Sequence, residues 1–272
     1  MQANSIRSTA IFNSFRHNIQ SNMLSASRRL ASGRRINSAA DDAAGLGISQ
    51  RLEAQIRGLN QATRNALDFD SALNTAEGGL GSISSSLLRI RDLALQASNG
   101  ILSNDDRASI QIEVDQLLNH IGRVTTDTEF NRINLLDGSF DNMNAQVGPN
   151  AGQGLNVSIS GTSLAALGLE GFSVMGGPQN IDIAAIDTAI NRVVSNRGSI
   201  GAIQNRLGYV VEHNNVASIN MAAANSRIAD ADMALEMMRL NQARILEQMQ
   251  IFSMRNQMQR TRANLGFVGV MM

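Results

Sequence analysis

Apolar residues recur at alternating steps of three and four between residues 59 and 97, the spacing of a buried seam on a coiled-coil helix. A helix over this span extends for roughly 60 Å. A shorter run of the same kind occupies residues 110–124 and predicts a second helix, with Ser103 as its N-cap. The members of the first seam are Leu59, Ala62, Ala66, Phe69, Leu73, Ala76, Leu80, Ile83, Leu87, Ile90, Ala94 and Ala97.

The same spacing returns in the C-terminal part and continues from Ile186 to Phe252, with Asn196, Asn214 and Gln242 as its polar members. It predicts one very long helix, on the order of 100 Å. Asn214 either specifies the register of this seam or reaches solvent. We expect the N- and C-terminal seams to bury their apolar edges against each other.

The N-terminal thirty residues carry a looser apolar stripe at helical spacing. Polar residues and weak helix formers surround it, so we expect this helix to be marginal alone and ordered by its partners. The C-terminal sequence ANLGFVGVMM is an apolar tail, which an assembly buries and a monomer leaves exposed. The stripe consists of Phe12, Phe15, Ile19, Met23, Ala26 and Leu30.

Residues 138–180 are rich in glycine and asparagine and interrupt the helical pattern. Within them Leu155, Val157 and Ile159 alternate with polar residues, which predicts a strand paired in a hairpin with residues 145–147. Residues 164–171 form a helical turn at most. The predicted fold is therefore mainly α: an elongated antiparallel coiled-coil or helical bundle with a small β-hairpin region at about residues 140–162.

The composition excludes several classes of chemistry. All 23 basic residues are arginine and cysteine is absent, so Schiff-base lysines, disulfides and thiolate catalysis are excluded. The formal net charge of zero argues against a nucleic-acid partner. No apolar run reaches the length of a membrane span, and the N-terminal sequence lacks the pattern of a cleaved signal peptide. We expect no membrane partner and no cofactor.

Asp41 and Asp42 are adjacent carboxylates, and the functional hypothesis for them is an acid–base pair or a metal site. Neighbouring residues on a helix point about 100° apart, so the two side chains cannot share a proton or a metal ion there. Short polar side chains at this position suit helix caps and turns instead. We expect the aspartates to cap, and to pair with Arg34, Arg35 or an arginine of a neighbouring subunit.

Other candidate sites are weaker still. The histidines His17, His120 and His213 lie far apart without a metal-ligand spacing, so we expect no catalytic and no metal site. The glycines of the segment GGLGSIS, residues 78–84, predict close helix packing rather than a phosphate loop. Methionines at helical spacing from residue 233 onward predict packing between subunits rather than a soft-metal site.

Longer stretches resemble a known family. The run RLASGRRINSAADDAAGLGISQRLEAQ, from residue 29 onward, is similar to the N-terminal part of bacterial flagellin. The motifs TAEGGL, RDLALQASNG and TEFNRINLLDG follow in the order and spacing of that family, AQVGPNAGQGLNVSI resembles its β-hairpin, and SRIADADMALEMMRLNQARILEQ resembles the start of its C-terminal helix. The likeness implies a short flagellin with terminal and rod domains and no large outer domains.

The resemblance implies a structural, non-enzymatic subunit that polymerises into the extracellular flagellar filament for motility. It implies secretion by flagellar type III export without a cleaved signal peptide, an export chaperone on the C-terminal helix, and filament-cap and hook-junction proteins as further partners. Residues 1–44 correspond to the N-terminal part of the inner tube plus a spoke, residues 45–225 to the rod-like domain, and residues 226–272 to the C-terminal part of the inner tube.

The same likeness names candidate contact residues. Arg89, Leu93 and Glu113 match positions through which a toll-like receptor grips many flagellins, with Leu93 as the apolar anchor. Ser158, Ser160 and Thr162 are candidate glycosylation sites. The candidates for contacts between subunits are Phe12, Phe15, Ile19, Arg34, Arg35, Asp41, Asp42, Met249 and Phe252.

The chain departs from the family pattern at MQANSIRSTAIFNSF and again over residues 250–272, which lack the usual alanine-rich composition and leucine-leucine-arginine ending. Because terminal helices form the filament core in this family, a hook–filament junction protein stays open as an alternative. A cytosolic coiled-coil interaction module is the second alternative, and an enzyme is a remote third.

Overall fold

The computed structural model describes the backbone of residues 2–177 and 179–269 and the side chains of residues 12–177 and 179–259. About 72% of the chain is helical, which confirms the mainly α prediction. No helix in these described residues is long and apolar enough to cross a membrane. The elements are α1 Gln2–Ser32, α2 Ala43–Ala97, α3 Asn104–Asp127, β1 Glu129–Phe130, β2 Ile133–Asn134, β3 Met143–Gln146, β4 Gly154–Val157, α4 Leu164–Leu167, α5 Ile183–Ala229 and α6 Met233–Gly269.

The chain divides into two compact units. The first combines the N-terminal stretch through Ala54 with the C-terminal stretch from Asn220, and it contains the packed helices α1 and α6. The second spans Gln55–Ile219 and contains α3, α4, both strand pairs and most of α2 and α5.

The core of the second unit is the seam that the periodicity predicts. Of the twelve seam residues on α2, all except Phe69 are buried, and Phe69 is half-buried against the same core. They pack with Val114 and Ile121 of α3 and with Ile186 and Val193 of α5. Each large aliphatic side chain buried in this way contributes about 1.5–3 kcal/mol to stability.

Polar contacts show that α2 and α5 run antiparallel within the second unit. From the first contact to the last, the position on α2 moves 31 residues toward its N-terminus while the position on α5 moves 31 residues toward its C-terminus. The register is therefore the same at both ends of this length. The contacts are Arg91–Asp187 at 2.7 Å, Glu77–Arg197 at 2.6 Å, Asn74–Gln204 at 3.0 Å and Asn60–Ser218 at 3.1 Å.

The expectation of one continuous C-terminal helix is wrong. The helix α5 ends at Ala229 and α6 begins at Met233. Asp232 starts the new helix, because its carboxylate Oδ1 accepts hydrogen bonds from the backbone N–H groups of Ala234 at 2.9 Å and Leu235 at 3.1 Å. The apolar series continues through the break, so periodicity alone does not reveal it.

The predicted hairpin is present as the antiparallel pair β3–β4, in which Ala145 lies opposite Leu155. A second hairpin, β1–β2, has no counterpart in the sequence-based prediction. Its two-residue turn consists of Asn131 and Arg132, whose φ angles are 51° and 64°. Such turns require positive φ at both positions and normally contain glycine, which explains why the sequence signal was weak.

The N-terminus of α3 confirms the predicted cap. The hydroxyl of Ser103 accepts a hydrogen bond from the backbone N–H of Asp106, and the Asp106 carboxylate accepts one from the backbone N–H of Ser103. This reciprocal pair is a capping box, which satisfies two N–H groups at the start of the helix. The short α4 likewise confirms the single helical turn expected in residues 164–171.

Candidate self-assembly surface

The helix α6 packs against α1 through a mixed face, here called the inner face, which consists of Glu236, Leu240, Ala243 and Gln250. All four are buried. On the α1 side Ile19 and Ala26 are buried as well. Ile19 is therefore covered inside the subunit, whereas we expected it to contact a neighbouring subunit.

The opposite side of α6 is largely apolar and open to solvent, with Gln242 as an exposed polar residue among its apolar ones. We call this the outer stripe and define it as Leu235, Met238, Ile245, Met249 and Phe252. All five side chains are exposed, Met249 and Phe252 by 65% each. We expected these seam positions to be buried against the N-terminal seam, and in the part of the chain that the structure describes this expectation is wrong.

Two polar contacts tie the inner face to α1. The Glu236 carboxylate Oε1 pairs with Arg29 Nη1 of α1 at 3.4 Å and with Arg239 Nη1 of α6 at 2.7 Å. The Gln250 amide donates a hydrogen bond to the backbone carbonyl of Phe12 at 3.1 Å. Because residue 236 meets residue 29 and residue 250 meets residue 12, the two helices run antiparallel.

Inside the first unit, the segment that precedes α2 forms backbone hydrogen bonds with the segment that follows α5. The Arg35 backbone N–H donates to the carbonyl of Ala229 at 2.7 Å, and that of Ala231 donates to the carbonyl of Gly33 at 2.9 Å. The Arg35 guanidinium donates to the carbonyl of Ile228 at 2.6 Å. These contacts explain why the long helix breaks, since the residues around 230 pair with a distant segment.

Asp41 and Asp42 act as caps, as predicted. Asp41 Oδ2 accepts hydrogen bonds from the backbone N–H groups of Asn37 and Ser38 and from the Ser38 hydroxyl. The backbone N–H of Asn37, followed by the Ser38 hydroxyl and backbone N–H, lowers the pKa of Asp41. Asp42 Oδ1 accepts from the backbone N–H of Gly45 at 2.8 Å and starts α2.

Among the residues that the structure describes, these aspartates do not make the expected pair with Arg34 or Arg35. Arg34 pairs with Glu53 at 2.6 Å, and Arg35 donates to the Ile228 carbonyl. Each arginine has therefore found a partner on another element of the first unit.

No cluster of metal-binding side chains is found in the residues that the structure describes. His120 lies within 3.1 Å of the Ser82 hydroxyl, a contact between α2 and α3 in the second unit. His213 and His17 are exposed.

Asn214, whose role the sequence left open, is a structural residue, and Asn65 makes a similar contact that the sequence did not indicate. Asn214 is buried, and its side-chain amide donates to the Val147 carbonyl at 3.0 Å. Asn65 donates to the neighbouring carbonyl of Gln146 at 3.1 Å. The position of Asn214 in an apolar seam was the only sequence signal for a special role. The sequence did not indicate that its partner is a carbonyl of the hairpin.

Two regions of the chain match models of one protein family. Residues 4–141 match "Bacterial flagellin N-terminal helical region", and residues 183–266 match "Bacterial flagellin C-terminal helical region". Together they span most of the 272 residues.

The chain belongs to the bacterial flagellin family.

Individual relatives agree with this assignment. The chain is 42% identical over 227 residues to a flagellin of Halalkalibacterium halodurans, with 82% of this chain and 83% of the relative covered. It is 39% identical over 247 residues to the flagellar filament 33 kDa core protein of Treponema phagedenis, with 85% of each covered.

Solved flagellar proteins share the fold. The crystal structure of Bacillus cereus flagellin matches with a TM-score of 0.51 at 31% identity, covering 60% of this chain and 94% of that one. A putative flagellar hook-associated protein of Vibrio parahaemolyticus matches with a TM-score of 0.59 at 17% identity, covering 70% and 100% respectively. The second likeness concerns the fold alone.

The three residues expected to contact a toll-like receptor occupy different environments. Arg89 of α2 and Glu113 of α3 are partly exposed and pair with each other at 2.7 Å. Leu93 is only 2% exposed and belongs to the core of the second unit. The expectation of an accessible apolar anchor at Leu93 is therefore wrong, because its side chain is already packed inside the subunit.

The three glycosylation candidates also differ in their exposure to solvent. Ser158 and Ser160 are exposed, and the Ser158 hydroxyl accepts a hydrogen bond from the Asn142 backbone N–H at 2.9 Å. Thr162 is fully buried, and its hydroxyl donates to the Leu136 carbonyl at 3.3 Å. Thr162 is wrong as a modification site in the folded chain, since no transferase can reach that oxygen.

Proposed function

We propose that the chain is a structural subunit that polymerises with copies of itself into the bacterial flagellar filament, with the outer stripe of α6 as a contact surface between copies. The supporting observation is the exposure of all five stripe residues. A contiguous exposed apolar surface marks an interaction site, and each large side chain buried there contributes about 1.5–3 kcal/mol to assembly.

A second copy of the chain is the partner that suits this surface. A copy that docks a different surface of its own on the stripe forms a heterologous contact, which repeats into an open helical polymer when the rotation does not close. Phe15 on α1 is also more than half exposed and belongs to the same unit. Relatives described as filament core proteins are consistent with a polymer of this kind.

The roles of the segments are part of the proposal. Residues 1–44 and 226–272 form the inner tube with its spoke, and residues 45–225 form the surrounding rod-like domain. The division of the chain into a terminal unit and a central unit supports this assignment, although the unit boundaries fall at Ala54 and Ile219. No enzymatic activity is included in the proposed function.

The location and partners follow from the same proposal. The subunit is exported through the flagellar type III channel without a cleaved signal peptide and ends in the extracellular filament. An export chaperone holds α6 before assembly, which covers the outer stripe in transit, and the filament cap and hook-junction proteins contact the finished polymer. A toll-like receptor contact involves the exposed Arg89 and Glu113 rather than Leu93.

Polymerisation of purified protein tests the proposed function. We expect the full-length chain to form long filaments by electron microscopy and a chain lacking residues 1–35 and 230–272 to stay unassembled. Ordered tubes from the truncated chain would contradict the proposal. Short caps instead of long filaments would favour the hook–filament junction alternative. Loss of the protein from the medium in a flagellar-export mutant distinguishes both from a cytosolic module.

A further inference from the structure

The two faces of α6 are used in an unusual way. A helix that packs on a single neighbour normally buries its apolar side and exposes its polar side. Here the buried inner face contains a carboxylate, Glu236, and a carboxamide, Gln250, while the outer stripe is apolar and exposed. The choice of face therefore does not follow from hydrophobicity.

A competing arrangement exists in which α6 is turned about its own axis. The centres of the inner face and the outer stripe lie roughly 150° apart around the helix, at about 100° per residue. A rotation by this angle buries Met249 and Phe252 against α1 and returns Glu236 to water. Burial of apolar area alone favours the rotated arrangement. A specific interaction has to select the observed one.

The two polar contacts of the inner face supply this selection. Residues 236 and 250 are about 21 Å apart along the helix, so they hold α6 on α1 at well-separated points. Glu236 requires the guanidinium of Arg29, and Gln250 requires the carbonyl of Phe12. The rotation of α6 that exchanges the two faces breaks both contacts together.

Stability alone does not explain Glu236. Its side chain is buried, and although Oε1 pairs with two arginines, Oε2 has no hydrogen-bond partner. A buried ion pair of this kind is weak grounds for a gain in stability, and apolar replacements are often neutral or stabilising. Single buried polar residues in helical seams instead specify register and orientation at a cost in stability.

We propose that Glu236 and Gln250 are positioning residues that select the face of α6 that contacts α1, and thereby keep the outer stripe free for a second copy. This inference rests on the proposed function and adds the means by which the subunit avoids covering its own assembly surface.

The test compares four chains. Glu236→Ala combined with Gln250→Ala removes both polar contacts without adding large apolar side chains to the inner face. Glu236→Gln keeps a side chain that accepts a hydrogen bond from Arg29 and is the conservative variant. Gln248→Ala shortens a side chain at an exposed position of the same helix and is the matched control. The unfolding transition of the second unit, which contains none of these residues, checks folding.

The first measurement is the critical concentration for filament formation by sedimentation. We expect it to rise about tenfold in the double variant, which corresponds to about 1.4 kcal/mol per subunit. Glu236→Gln and Gln248→Ala should stay within about twofold of the unaltered chain. An unchanged critical concentration in the double variant would overturn the inference.

The second measurement reports the orientation of α6 directly. Because the chain has no cysteine, Ala26→Cys with Ala243→Cys places one thiol pair on the α1–α6 contact. A short bismaleimide then cross-links the pair within filaments in which such chains are diluted by cysteine-free chains, so that links arise inside one subunit. Ala26→Cys with Met238→Cys samples the rotated arrangement, because Met238 is the residue of the outer stripe that lies level with Ala26 in this register.

We expect the first pair to link in the unaltered background, and the second pair to gain links at its expense in the double variant. If the double variant assembles poorly with an unchanged cross-link pattern, Glu236 and Gln250 act on stability alone and the inference is wrong. If the unaltered chain forms no filaments at all, the proposed function fails instead.

Discussion

The side-chain amide of Asn214 in α5 donates a hydrogen bond to the backbone carbonyl of Val147 in the β3–β4 turn, at an N–O distance of 3.0 Å. Asn65 in α2 makes the equivalent contact to the adjacent carbonyl of Gln146 at 3.1 Å. Two helices thus hold consecutive carbonyls of one hairpin. The loop is further docked by Pro149, which lies so close to Gly58 that a Cβ there would fall within 2.7 Å.

Replacing Asn214 with alanine should destabilise the second unit. The change leaves the Val147 carbonyl without this donor and opens space in a buried position, which costs about 1–3 kcal/mol. Urea unfolding of the variant measures the loss. Asn215→Ala, at an exposed position of the same helix, is the control and should change stability by less than about 0.5 kcal/mol. Equal stability of the two variants would remove the role assigned to Asn214.

Glycines in α2 differ in what surrounds them, and the expectation that all of them mark close packing is only partly right. A Cβ on Gly79 would lie 2.7 Å from Thr128 Oγ1 and 2.8 Å from Leu136 Cδ1. Thr128 cannot easily move, because its hydroxyl donates to the Val124 carbonyl at 2.6 Å. Gly81 has no atom within 4 Å of the same position.

Alanine substitutions at these glycines should therefore have opposite signs. Gly79→Ala overpacks its site and is expected to destabilise the free subunit by about 1–3 kcal/mol. Gly81→Ala removes the helix penalty of glycine and is expected to stabilise it by about 0.5–1 kcal/mol. Thermal unfolding of the two variants side by side is the measurement. The same sign for both would contradict the packing described here.

The capping box of α3 predicts a pH dependence. Hydrogen bonds from the hydroxyl and then the backbone N–H of Ser103 lower the pKa of Asp106. A folded-state pKa below the unfolded value gives a stabilising contribution that is present above the ordinary carboxyl pKa of about 4 and is lost as pH falls through the folded-state value.

We therefore expect Asp106→Asn to be less stable than the unaltered chain at neutral pH, with the difference shrinking as the solution is acidified below about pH 4. Denaturant unfolding at a series of pH values measures this convergence. Asp105→Asn, one residue away and without the contact to Ser103, should not reproduce it. A difference that is constant over the whole pH range would rule out the capping carboxylate as its source.

Some features of the fold could be predicted because they depend on a local or periodic arrangement of residues in the sequence. The α2 seam, the Ser103 cap and the β3–β4 hairpin depend on residues that lie close together in sequence or repeat with a fixed period. The break between α5 and α6 could not be predicted in this way. It depends on backbone pairing with Gly33 and Arg35, which are some two hundred residues distant.

Site residues show a second limit. Leu93 and Thr162 were chosen by likeness of motif, and a motif does not report whether a side chain is packed inside the subunit. The outer stripe shows the converse case. Periodicity identified its apolar residues correctly but not the surface they contact, because Glu236 and Gln250 compete for the same neighbour.

Placing charge on the outer stripe tests the central claim most directly. The measurement is the critical concentration for filament formation of Ile245→Glu combined with Met249→Glu, compared with Gln248→Glu as a matched exposed control. Loss of two buried apolar side chains should cost at least about 3 kcal/mol per subunit, which raises the critical concentration more than about a hundredfold. Filaments that form at the concentration of the unaltered chain would show that the outer stripe is not an assembly surface.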